Sequence, residues 1–403
     1  MPALSESQTR KRRDHAAMMF CVLLAAYLVM AADRYLFPVL APDVRHEFGF
    51  SLADTGLLTT IFTLGLGLGG LPTAFLLSRF SRKSVLTLGI VIFSSGTALT
   101  TVANGFLVML FCLAATGIGM AMLATPMFAL AASYFMRYRA AAIGSVNVCY
   151  GIGGFIGPIL ATMFLVSFHT WHAAMFAFGG FGFLIAAAIT TFVRPWFSET
   201  RQESQRPGHA SGARTLLNRN SILLSLLCLI HGLSMYGFLG MYPTFLRENL
   251  HYAPKAAGFV MSFFGLGALA SIVGGWVGDR FSPQWVLSTS FFCVAILGYL
   301  LFQPSETVLT REILTLLYGV MGSAMLYVNL AAYHVKALHS TSANRGSGLF
   351  VSSFYGPAAF AGYSIGAIAT HGGWLLAGQA QVSLLCLIGG TLALTLRSDQ
   401  MAL

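Results

Sequence analysis

The stretch Tyr27-Leu28-Val29-Met30-Ala31-Ala32-Asp33-Arg34-Tyr35-Leu36-Phe37-Pro38 decides how this chain must fold. It lies in an apolar run, residues 16–40, long enough to cross a bilayer as one helix, for which about 20 residues suffice. Asp33 and Arg34 stand side by side well past the middle of that run. Charge at membrane depth is costly unless it faces a cavity or a partner. Neighbouring residues point about 100° apart around a helix, so the two cannot form an ideal pair within it. One can face a cavity while the other faces an adjoining helix. Pro38 adds an irregularity, because it cannot donate to the carbonyl of Arg34. Such a helix is suited to lining a pathway.

Outward from this stretch the chain keeps the same character. Of its 403 residues 56% are hydrophobic and 9% charged, against about 25% charged in a soluble domain. The chain is therefore an integral membrane protein, with the lipid bilayer as its solvent. Hydropathy places spans near 16–40, 53–77, 84–103, 106–133, 141–167 and 172–194, then 221–245, 256–278, 285–303, 313–335, 346–369 and 373–396. The expected fold is all-α: twelve transmembrane helices in two six-helix bundles, 1–195 and 220–403. A polar segment, 196–219, reads as a flexible cytoplasmic linker between them.

The formal charge of +10 suits nucleic acid, but its distribution points elsewhere. Of 23 Lys and Arg, 18 fall at the two ends and in one alternating set of loops. Arg45, Arg247, Lys255 and Arg311 fall in the other set, leaving Arg34 as the one deep cation. This asymmetry orients a protein in an inner or plasma membrane with both termini in the cytoplasm. No nucleic-acid partner is expected. The six cysteines sit in apolar runs without disulfide or metal spacing and read as small hydrophobes. No phosphate-binding Gly-x-x-x-x-Gly-Lys-Ser/Thr and no nucleophile elbow occur, so neither an enzyme nor an ATP-driven pump is encoded.

The halves repeat each other. Arg79-Phe80-Ser81 matches Arg280-Phe281-Ser282 at an offset of 201 residues, and Tyr150-Gly151 with Gly157 matches Tyr355-Gly356 with Gly362 at 205. Arg139 and Arg345 match at 206. Duplicated bundles with a site between them are a transporter signature.

Gly275-Trp276-Val277-Gly278-Asp279-Arg280 closes span eight. It resembles the Gly-x-x-x-Asp-Arg gating loop of the major facilitator superfamily. Glycine there allows close packing, and Asp at the membrane edge can latch to a cation on a neighbouring helix. The first-half copy has Ala74 for the glycine and Ser78 for the Asp while keeping Arg79, Arg82 and Lys83. A weaker latch is expected there. Gly144, Gly153 and Gly157-Pro158 match the spacing of the superfamily's fifth-helix motif, although Ala161-Thr162 replaces its final glycine pair. Span four has Leu113 where the family often places an arginine linked to proton transfer. Trp171 and Tyr242-Pro243-Thr244-Phe245-Leu246 are also similar to the family, and the resemblance covers essentially the whole chain.

Within the superfamily, Asp33-Arg34 with Asp43, Glu47 and Phe48-Gly49-Phe50-Ser51 resembles the organic anion:cation symporter and spinster-like groups. That resemblance implies that Arg34 attracts an anionic substrate and that Asp33 is protonatable. Tyr27, seven residues before Arg34, shares its helical face. Tyr27, Asn147, Tyr150 and Tyr355 are cavity-lining candidates, with packing as the alternative. His231, in the pseudo-symmetric span seven, is either a packing residue or a transport residue. Lys336 is expected to snorkel towards the interface. The expected function is proton-coupled symport of a small organic anion, with the proton gradient as energy source and no bound cofactor or metal. Proton-driven efflux of a drug, amphiphile or lysolipid is the alternative, and a non-transporting receptor a third reading. A monomer is expected.

Overall fold

The computed structural model describes residues 6–135, 138–199, 213, 215–216, 218–304, 307–339 and 343–401. Helix α1 (Glu6–Phe48) is one continuous run of 43 residues, with Pro38 and Pro42 in its interior. At 1.5 Å per residue it is about 65 Å long, so it crosses the membrane and projects beyond it. Next come α2 (Leu52–Thr60 continued by Phe62–Arg79), α3 (Arg82–Leu99), α4 (Phe106–Tyr134), α5 (Arg139–Phe168) and α6 (Trp171–Phe192). The second half has α7 (Arg219–Thr244), α8 (Pro254–Ala268 and Ser271–Arg280, bent by 40°), α9 (Pro283–Leu301) and α10 (308–336). The π-turns Gly319–Tyr327 lie inside α10.

The last two crossings are less plain, because residues 345–393 run on as one apolar helical stretch of 49 residues. Gly373 breaks it, with φ at +79°, a left-handed value that favours glycine. A straight helix would hold residues 361 and 381 about 30 Å apart. Instead the Gln381 side chain donates to the Ala361 carbonyl at 2.7 Å and accepts from Ser364 at 2.7 Å. The chain turns back at Gly373, giving α11 (343–372) and α12 (374–393). Twelve crossings therefore bring both ends to one face.

The linker differs from its expected flexibility at both margins. A helical turn, Pro195–Ser198, buries Phe197 and Ser198, while Ala213 pairs through its backbone with Ala337 and His339. Residues 200–212 lie outside the described residues. Arg311, expected in an outer loop, is fully buried in α10. It donates to the carbonyls of Leu301 and Gln303 at the C-terminal end of α9, where a helix attracts positive charge. Buried basic charge is thus not confined to Arg34.

Contacts between the halves concentrate on the face away from the termini. A Cβ added to Gly56 would overlap the carbonyl of Gly362, and one added to Gly362 would overlap Gly56, so α2 and α11 touch backbone to backbone. Thr60 donates to the Ala359 carbonyl across the same seam at 2.8 Å. At its rim one terminal nitrogen of Arg45 donates to both carboxylate oxygens of Glu248 at 2.8 Å, and Arg247 pairs with Asp43. The structure is closed at this end.

Ion pairs at a solvent-reached rim are worth about 0.2–1 kcal/mol, and these side chains remain 15–26% exposed, whereas forcing a side chain into a tight seam costs about 1–3 kcal/mol. The glycine contact should therefore dominate closure. Gly362→Val is expected to raise labelling of a cysteine placed at Thr59 by an impermeant maleimide, by about tenfold, whereas Glu248→Gln raises it only about twofold. Unchanged protection in Gly362→Val would rule out this seam as the closing element.

Candidate functional site

The helical periodicity of α1 brings Tyr27 and Arg34 onto one face, seven residues and about two turns apart. Both open into a cavity of about 260 Å³ between the halves. The first half adds Leu66 and Gly70 from α2, Thr125 and Phe128 from α4, and Asn147 and Tyr150 from α5. From the second half come Met235 and Tyr236 on α7, Ser271 on α8, Ser323 and Tyr327 on α10, and Val351 and Tyr355 on α11. Arg34 is half-buried and has no ion-pair partner among the described residues. Its guanidinium carbon lies 5.5 Å from the centre of the Tyr150 ring, within cation–π range. Its buried Nε has no hydrogen-bond partner. A fixed cation therefore faces a chamber walled by neutral hydroxyls and apolar groups.

Asp33 does not line this chamber. Buried on the other side of α1, it accepts from the Thr97 hydroxyl of α3 at 3.0 and 3.1 Å. A gap of about 20 Å³, bounded by Asp33, Arg34, Thr97 and Thr116 among others, lies there. Both charges thus border that gap, while only Arg34 also reaches the central cavity.

Two tyrosine pairs frame the closed end of the cavity. Tyr35 and Tyr150 have ring centres 6.5 Å apart at 57°, with hydroxyls 3.1 Å apart. Tyr236 and Tyr355 stand 6.1 Å apart at 59°, and Tyr355 exchanges a 2.8 Å hydrogen bond with Tyr327. Tyr236 and Tyr327 are absent from the expected site, since aromatics in apolar runs carry no distinguishing pattern. The 201-residue offset was the available signal: it aligns Tyr35 with Tyr236, Phe37 with Phe238, Pro42 with Pro243 and Glu47 with Glu248.

Residues 23–363 match the Major Facilitator Superfamily. The chain belongs to that superfamily. It is similar to the gallate transporter of Pseudomonas putida, 26% identical over 336 residues, covering 73% of this chain and 74% of that one. The cis,cis-muconate transport protein of Acinetobacter baylyi is 24% identical over 321 residues, 75% of this chain and 76% of that one. A solved structure of a bacterial homolog of the human lysosomal transporter Spinster, inward-facing and occupied, shares the fold at a TM-score of 0.70. Identity there is 18%, over 94% of this chain and 91% of that one. The protein is a major facilitator transporter, not an enzyme.

In this transporter His231 lies away from the central cavity. It is fully buried between Phe291 and Phe354, and its Nε2 donates to the Gly322 carbonyl at 3.0 Å. Of the two readings of His231, this placement favours packing within the second half.

The gating loops also differ from expectation. Lys336 does not simply snorkel: its Nζ meets Asp279 at 2.7 Å, joining α10 to the end of α8. The close packing expected of Gly275 is made by Gly274 and Gly278, where an added Cβ would overlap Ala324 and Asn329; Gly275 has nothing nearer than Val328 at 4.0 Å. Arg79 and Arg280 each cover the aromatic ring four residues earlier, Phe75 at 4.5 Å and Trp276 at 5.5 Å. In the first half, Ser78 turns to its own helix and donates to Phe75. The acid comes instead from Glu199, whose carboxylate accepts from the backbone N–H groups of Arg82 at 2.9 Å and Lys83 at 3.1 Å. Arg82 itself reaches Ser133 of α4 at 3.1 Å.

A carboxylate at a helix N-terminus satisfies orphan donors and complements the helix dipole. Glu199→Ala is expected to lower stability by about 1 kcal/mol, read as a fall in Tm in detergent, with Glu199→Gln falling less. Equal Tm values for wild type and Glu199→Ala would show that the linker does not cap α3.

Proposed function

We propose that this transporter carries a small organic anion into the cell together with protons. The observation that carries the reading is Arg34, a cation with no ion-pair partner among the described residues, at the wall of a cavity shared by both halves. Relatives named for transport of gallate, a monocarboxylate, and of muconate, a dicarboxylate, support a carboxylic acid of either valence as substrate. A chamber of about 260 Å³ suits a compact molecule rather than a lipid. The excess of Lys and Arg at the termini and in the loops on their face supports cytoplasmic termini in an inner or plasma membrane.

The coupling follows from two adjacent charges of which only Arg34 reaches the cavity. With Asp33 ionised, its charge offsets part of the attraction that Arg34 exerts on an anion. A proton on Asp33 removes that offset and strengthens anion binding; by linkage, each ligand favours the other. Closure around the doubly loaded site, then opening to the other face, moves both. The Arg34–carboxylate bond is worth about 1.5–3 kcal/mol as a charge-assisted hydrogen bond.

Arg34→Ala is therefore expected to weaken substrate binding roughly tenfold to a hundredfold and to abolish uptake into proteoliposomes. Asp33→Asn is expected to keep substrate exchange while losing drive by a pH gradient. Normal gradient-driven uptake in both variants would exclude this mechanism, and extrusion on acidifying the outside would reverse the direction.

A further inference from the structure

Resting on the reading of the cavity as an anion site, a further property of that site follows from its broken symmetry. Among the described residues lining the cavity, Arg34 is the only Lys or Arg, and none is Asp or Glu. An exact twofold repeat would place a second copy of a charge on α1 at the matching place on α7. The 201-residue offset identifies that place as Met235. Its register is fixed by the next residue, since Tyr35 and Tyr236 make matching ring pairs with Tyr150 and Tyr355. Pro42 and Pro243 keep the same offset one helical stretch further on. Arg34 and Met235 both line the one cavity. Where a second guanidinium would converge on the ligand, the chain has a buried thioether, only 2% exposed.

We propose that Met235 sets the valence of the substrate, so that the site takes organic anions bearing one net negative charge and rejects dianions. One guanidinium can form a two-pronged bond with one carboxylate. A second carboxylate in the same chamber would meet only tyrosine and serine hydroxyls, Asn147 and apolar side chains. Hydroxyls can donate to it, but they leave its charge unneutralised in a poorly hydrated space, which is unfavourable. The hydroxyls of Tyr236, Tyr327 and Tyr355 instead suit a neutral polar substituent at the far end of a monoanion. Met235 is a specificity residue on this account, acting by withholding charge rather than by making a bond.

The test is equilibrium binding to the full-length purified transporter near neutral pH, using matched pairs of probes: benzoate with terephthalate, and hexanoate with adipate. Benzamide serves as the uncharged control. Wild type is expected to bind each monocarboxylate at least about tenfold more tightly than its dicarboxylate partner. Met235→Arg is expected to reverse that order, and Met235→Gln to leave it unchanged. If Met235→Arg fails to fold, Met235→Lys carries the same expectation, and the wild-type ratio alone remains decisive. Wild type binding both members of a pair equally, and both better than benzamide, would overturn the valence rule while leaving anion transport standing. A Met235→Arg or Met235→Lys variant that folds with the wild-type ratio unchanged would overturn the role of Met235. If no acid competes better than benzamide, the anion reading falls and the valence rule with it.

Discussion

A guanidinium held at membrane depth with no ion-pair partner among the described residues is the constraint on which the rest of this structure depends. Its tolerated surroundings are few: water, an anion, or the faces and hydroxyls of aromatic rings. Arg34 has the ring of Tyr150 beside it and a cavity in front of it. Arg311 shows the other solution. That side chain is more deeply buried, and backbone carbonyls at the end of α9 accept from both of its terminal nitrogens; its Nε lacks a partner, but the side chain does not line the central cavity. The two arginines differ in what they still lack. Only the first has unspent binding capacity facing a space that a small molecule can enter.

The cavity exists because the halves touch at one end and not along their whole length. Gly56 and Gly362 let α2 and α11 meet backbone to backbone, and Gly154 and Gly265 do the same for α5 and α8. Both contacts lie on the side away from the termini, where the Asp43–Arg247 and Arg45–Glu248 pairs also cross between halves. In lipid, where apolar surface gains little by leaving apolar solvent, such small-residue seams supply much of the helix association. A seam made of glycine can also part without stranding large side chains. The arrangement suits an interface that forms and breaks in each transport cycle.

Much of this was legible in the sequence, for definable reasons. Hydropathy finds spans because lipid leaves the backbone no alternative to helix. The separation of Asp33 from Arg34 onto two sides of α1 follows from helical geometry alone. The reversal at Gly373 was visible as a short gap between spans eleven and twelve, though residues 345–393 run on as one helical stretch. Other features carried no such signal. Glu199 sits in a polar linker where one carboxylate resembles any other, and only the folded chain brings it to the N-terminus of α3. Arg311 lies near a span boundary, where hydropathy cannot tell a solvated arginine from one turned inward. His231 allowed both a packing and a transport reading, because one ionisable group within a span carries no sign of which neighbours it meets; only the folded chain sets its Nε2 on a backbone carbonyl between two phenylalanine rings.

The symmetry and its failure divide the duplicated chain into elements that repeat and elements that do not. The tyrosine pairs, the bent prolines and the arginine-capped loops repeat in both halves, and they are elements of shape. The charges do not repeat: Asp33 aligns with Ser234 and Arg34 with Met235 at the same offset. Shape is what two rocking bundles must share, since each has to fit the other in both orientations. Charge has no such requirement. In the proposed mechanism both charges sit on successive residues of one rigid helix, about 100° apart around its axis, so that Asp33 would take the proton and Arg34 the anion. Their coupling then needs no long pathway through the protein, because a change of charge on one side of α1 is felt on the other at the separation of adjacent residues. The second half contributes an uncharged wall to the cavity, which on the proposed reading would limit how much negative charge the site can hold.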